Sequence, residues 1–176
     1  ATSCVYPPDH LYQLSNEPPT NASYREEMAL FLRKLVRIGG LPPDLHAEAE
    51  AEGILYLAEY LPVTRRFTGS IPGNRSGGSI ASYAGSLALT NHRVLATLST
   101  LPKLASRSVD QAWSAPQTGA VRAELEPTGL MLDVDLAEVD QRCQGHLSLH
   151  YKTDIPADIL LRLPRRTLAF DVGPEY

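Results

Sequence analysis

The chemistry this sequence offers begins with three arginines. Arg65 and Arg66 close an apolar run, and Arg75 follows inside Thr68–Ser79, a stretch rich in Gly and Ser. Guanidinium forks match the geometry of phosphate and carboxylate oxygens, and glycine lets backbone N–H groups approach an anion closely. Arg65, Arg66 and Arg75 are therefore candidate anion-binding residues. Residues 60–109 carry no acid, which would keep the local potential positive, while 123–141 carry Glu124, Glu126, Asp133, Asp135, Glu138 and Asp140 and no base. The competing role for the arginines is to pair with the acids of that later stretch, Glu124 and Glu126 in particular.

A second constellation is Asp133 and Asp135 with His146 and His150. Imidazole and carboxylate suit zinc and related metals. Alternating polar residues are also what any solvent-facing sheet surface shows, so the expectation is no metal site and no cofactor. Catalysis is poorly supported. The Gly-x-Ser-x-Gly elbow is absent, and Gly73–Ser79 is neither that nor a phosphate-binding P-loop. Cys143 has His146 three residues on but no third group to order the pair, so no catalytic residue is assigned. Trp113 reads as core, with a partner-binding anchor as its alternative.

Elements must position these side chains. Pro7, Pro8, Pro18 and Pro19 mark an extended arm over 1–22. Ser23 and Glu26 form a capping box, and Tyr24, Met28, Phe31, Leu32, Leu35 and Ile38 line one face of a helix over 24–38. Leu35 is expected to pack on the apolar run Ile54–Leu61. Pro42-Pro43-Asp44 opens a short acidic helix that ends at Gly53. From there the period changes to two. Strands are expected at 54–61, 80–90, 94–99, 104–113, 121–126, 130–136 and 147–151, with 68–79 as a loop. Asp154 is placed to cap a helix at about 155–163, and Thr167–Val172 could add a strand within a tail. The fold class is α+β, with N-terminal helices, a curved antiparallel sheet or small barrel of about seven strands, and a short C-terminal helix. The organisation is arm 1–22, helical extension 23–52, sheet domain 53–163 and tail 164–176.

Composition limits the partners. The net charge of −4 over 176 residues argues against a general nucleic-acid binder. No apolar run reaches the ~20 residues that span a bilayer, and no leader segment is visible. Cys4 and Cys143 read as two unpaired thiols in a reducing compartment, which favours the cytoplasm.

The passage Gly85–Ala96, with Thr90-Asn91-His92-Arg93 at its turn, resembles the signature of bacterial pleckstrin-homology-like (GRAM-like) domains. Physically, Thr and Asn can satisfy the turn's backbone and Arg93 can brace it from the side. The resemblance spans about 53–163 and implies a sheet barrel with a helix over one end. It further implies a non-catalytic module that binds a protein partner, or an anionic phosphate or lipid headgroup at the first hairpin loop. Headgroup binding would make the protein peripheral at the membrane. Two other classes stay open: a structural subunit that oligomerises through the 24–38 helix, and a small enzyme with a pocket in the sheet interior.

Overall fold

The computed structural model describes residues 39–71, 74–99 and 105–171, without the side chains of 74–76 and 105–106. The arm, the 24–38 helix with Leu35, and Cys4 lie outside the described residues. Eight antiparallel strands form one sheet: β1 Ile54–Ile71, β2 Asn74–Thr90, β3 Arg93–Ser99, β4 Ala105–Ala112, β5 Val121–Glu126, β6 Gly129–Asp135, β7 Gln144–Lys152 and β8 Thr167–Phe170. Their order is β4-β3-β2-β1-β7-β6-β5-β8. Among the described residues, three short helices accompany them: α1 Pro43–Glu52, α2 Leu136–Val139 and α3 Ala157–Arg162.

The sheet curls nearly into a barrel. Tyr151 on β7 and Ser108 on edge strand β4 share a hydroxyl–hydroxyl hydrogen bond. Four strand spacings separate them, ~19 Å along a flat sheet, so only a rolled sheet lets them meet. Bulges supply the bend. The β1–β2 register slips by one residue between Ala58/Leu61 and again at two other places. At the first slip Tyr60 takes a positive φ of 60°, and its amide bonds the carbonyl of Gly39 at 2.8 Å.

Strand alternation sends Val63, Leu87, Leu89, Val121, Leu125, Leu130 and Leu132 into one core. Tyr151, fully buried, is among its largest members. Its ring lies on Gly85, where an added Cβ would collide with the Thr97 carbonyl oxygen and come within 2.9 Å of the ring. Ile155, Ile159, Leu160 and Leu163, on α3 and its flanks, join the same core and cover one end of the barrel. Trp113 is also core, as its sequence context suggested, and its Nε1–H donates to the Thr90 carbonyl at 2.9 Å.

Outside the barrel, Leu41, Leu45 and Ala49 pack on Ala88, Leu95, Ile54 and Leu57. This second cluster explains why Ala84–Thr90 of β2 and Val94–Thr97 of β3 are buried on both faces. A ten-residue helix is marginal in isolation, so α1 relies on this packing and on the turn that follows β2. There the Thr90 hydroxyl donates to Glu52 (2.8 Å) and accepts from the amides of His92 and Arg93. Asn91 donates to the carbonyls of Glu52 and Gly53. Arg93 donates to Glu48, Glu52 and both oxygens of Asp110 at 2.8–3.1 Å. Burial alone would lower the Arg93 pKa, but the hydrogen bonds to Glu48, Glu52 and Asp110 outweigh it and hold the guanidinium above its ordinary value.

Several expectations need correction. The sheet has eight strands rather than about seven, because the strand expected within the tail forms as Thr167–Phe170 and pairs with β5. The glycine-rich segment 68–79 is not a loop. Its described residues extend β1 and β2 as a paired hairpin as far as Ile71 and Asn74, with β7 paired to β1 as far as Ser70. Pairing on both sides of β1 overrides the local preference of Gly and Ser for turns. The cap of α3 is Pro156, without a side-chain hydrogen bond, while the Asp154 carbonyl takes the Tyr56 hydroxyl. Leu136 leaves β6 to start α2, which Asp135 caps through the Ala137 amide.

The contact between Gly85 and Tyr151 is testable. Gly85→Ala should destabilise the fold by ~1–3 kcal/mol or more, the usual cost of overpacking a filled core. Urea denaturation of the variant and the native chain would measure it.

Candidate functional site

The structure separates Arg65 from Arg66. Arg65 and Arg66 are consecutive in an uninterrupted stretch of β1, opposite Ala81 and Ile80 on β2 and opposite Leu149 and Ser148 on β7. Successive strand side chains point to opposite faces. Arg65 therefore shares the inner face with buried Val63 and Phe67, whereas Arg66 is exposed on the outer face. Arg75 pairs with Ser70 near the hairpin tip, and its side chain lies outside the described ones. Arg65 and Arg66 thus cannot grip one anion together.

Neither arginine has an ion pair among the described residues. Glu124 and Glu126 sit on β5, three strand positions from β1, or ~14 Å. The acid-free stretch finds its counter-charges elsewhere. Arg93 and Arg107 both pair with Glu48 and Asp110.

The acids and histidines of β6 and β7 also divide. Asp135 lies opposite His146, and Met131 opposite His150. His146 Nδ1 is 3.7 Å from Asp133, and both side chains are largely exposed. Asp135 is committed to capping α2, and the His150 ring is 3.2 Å from the Thr128 carbonyl. No group of three or more His, Cys, Asp or Glu among the described residues is placed to hold a metal ion. Cys143 is a free thiol in the loop before β7, beside an Asp140–Arg142 pair bonded through Nε and Nη2.

What the strand order does assemble is a groove of about 620 Å³ on the outer face of β5, β6 and β8. Arg122, Glu124, Met131, Asp133, Arg165 and Thr167 are among its lining residues. A smaller hollow of about 230 Å³ continues it past Arg122 and Asp133 toward Asp135, Glu138 and His146. Gln117 closes the β8 end, its side-chain oxygen accepting from the Ala169 amide at 3.0 Å. Arg122, Arg165 and Glu124 have no ion-pair partner among the described residues, so their charges face the groove. This trough escaped the sequence reading. A strand near 167–172 was legible, but not that it would lie beside β5 and bring Arg165 toward Arg122.

No family model, curated protein or solved structure matches the chain. Among the described residues, no helix is long and apolar enough to cross a membrane.

The Asp140–Arg142 pair carries a pH signature. Side-chain hydrogen bonds from Arg142, then its backbone amide, lower the Asp140 carboxyl to about 2. An NMR titration should place Asp140 there in the native chain and return it toward the usual carboxylate range in Arg142→Ala.

Proposed function

We propose that this protein is a non-catalytic binding module whose partner is a polypeptide seated along the outer trough of β5, β6 and β8. The observation that carries this reading is the asymmetry of the barrel's outside. Leu41, Leu45 and Ala49 cover the outer face of β1–β3 around Ile54, Leu57, Ala88 and Leu95, while the outer face of β5, β6 and β8 bears an open groove with charged side chains of both signs. Arg122 and Arg165 suit carboxylates of a partner, and Glu124 and Asp133 suit its cations. Such arrangements give specificity and steering more than raw affinity.

Two further points support it. Tyr151, Leu87, Leu89, Leu125 and Leu130 fill the barrel interior, which favours recognition on the outside over a reaction within. The likeness of Gly85–Ala96 to pleckstrin-homology-like domains points the same way, since such domains generally bind proteins, peptides or headgroups. In this reading the α3-capped barrel is the pleckstrin-homology-like frame, and α1 and β8 are additions to it.

An array of short peptides varied in charge would test the proposal. The native chain should select peptides carrying acidic residues, and Arg122→Ala/Arg165→Ala should lose about tenfold or more in affinity at low salt. The variant should stay folded, because Arg122 is exposed and Arg165 only half-buried, and surface substitutions usually stay within about ±0.5 kcal/mol. Equal binding by the variant, or no selection by the native chain, contradicts the trough. Flotation with anionic vesicles, lost in Arg66→Ala/Arg75→Ala, would shift the reading to headgroups.

A further inference from the structure

The end of the barrel away from α3 is unlike the end that α3 covers. Tyr83, Leu98, Leu136, Leu147 and Leu149 all lean on the core there and remain only partly buried. Among them, on the inner face of β1, stands Arg65. Its guanidinium carbon lies 5.5 Å from the centre of the Tyr83 ring. Its Nε is buried without a hydrogen-bond partner. Its cross-strand neighbours are Ala81 and Leu149, whose side chains carry no acceptor. We propose that this mouth is a binding site for a small carboxylate with an apolar body, the carboxylate on Arg65 and the body against the leucines.

The chemistry follows from what Arg65 lacks. A buried donor without a partner is unfavourable, and more so when it belongs to a charged group. The Nε–H and one terminal N–H of a guanidinium form two parallel donors that fit the two oxygens of a carboxylate. The face of Tyr83 favours a cation beside it and fixes the plane of the fork. β1 is hydrogen-bonded on both sides at this point, so the fork is mounted on a rigid strand, as precise sites require. A single described cation ringed by apolar groups suits a monoanion with an apolar body better than a polyphosphate, which needs several donors. Because Arg65 faces inward, this site is separate from the outer trough and does not depend on it.

Octanoate, its neutral analogue octanamide, and acetate are suitable probes at matched ionic strength. The readout is the Arg65 Nε–Hε signal in a ¹H–¹⁵N NMR spectrum of the native chain, together with titration calorimetry. Octanoate should shift that signal and bind, while octanamide and acetate at the same concentration should not. Arg65→Met should weaken octanoate by about tenfold or more, the worth of a charge-assisted hydrogen bond, and Arg66→Met should leave it unchanged. An unmoved Arg65 signal overturns the site, even if Arg65→Met does not fold. Equal binding by a folded Arg65→Met overturns it as well. Equal effects of acetate or octanamide would overturn the ligand class.

Discussion

The turn from Thr90 to Arg93 is the point on which the rest of this molecule is hung. One hydroxyl, one amide side chain and one guanidinium satisfy the backbone of the turn and both ends of the contact with α1. Arg93 adds Asp110 on β4, so α1, β3 and β4 meet at a single fork. Its side chain is only 16% exposed, against 44% for Glu48. Partial burial makes the ion pairs stronger than surface pairs, yet keeps water near enough to limit the cost of desolvation. The arrangement also accounts for the uneven charge along the chain. A basic stretch is tolerable because α1 and Asp110 bring acids to it in space.

Barrel closure imposes the second constraint, because rolling the sheet assigns every strand residue to an inside or an outside. The division determines what the arginines of β1 can do. Arg65 is drawn among apolar groups and meets Tyr83, while its neighbour Arg66 stays in solvent on the other face. It also gives the outside two characters. The face of β1–β3 is roofed by α1 around Ile54, Leu57, Ala88 and Leu95, and the face of β5, β6 and β8 is polar and grooved.

Half-buried strands were the most legible part of the sequence. Val121, Ala123 and Leu125 alternate with Arg122, Glu124 and Glu126, and that pattern alone determines which side chains enter the core. The role of Thr90, Asn91 and Arg93 was legible too, since their chemistry is local to one turn. The 68–79 segment was not, because its Gly and Ser content argues for a loop and only the register with β7 makes it a strand. The same misreading hid the opposed directions of Arg65 and Arg66, which follow at once when both are placed inside a strand. The trough could not be read, as it depends on β8 finding β5 across more than 40 residues of chain. Nor could α2, whose four residues are too few to show a period.

Native-state hydrogen exchange of Arg93→Lys against the native chain tests most directly whether this turn holds its elements as one unit. Lysine keeps the charge but lacks the fork that reaches three carboxylates. Amides of α1 and β4 should lose protection together, by a factor of about 10–100 for the ~1–3 kcal/mol that partly exposed pairs supply, while the β5–β6 hairpin keeps its own. Unchanged exchange, or a loss confined to α1, would contradict the account.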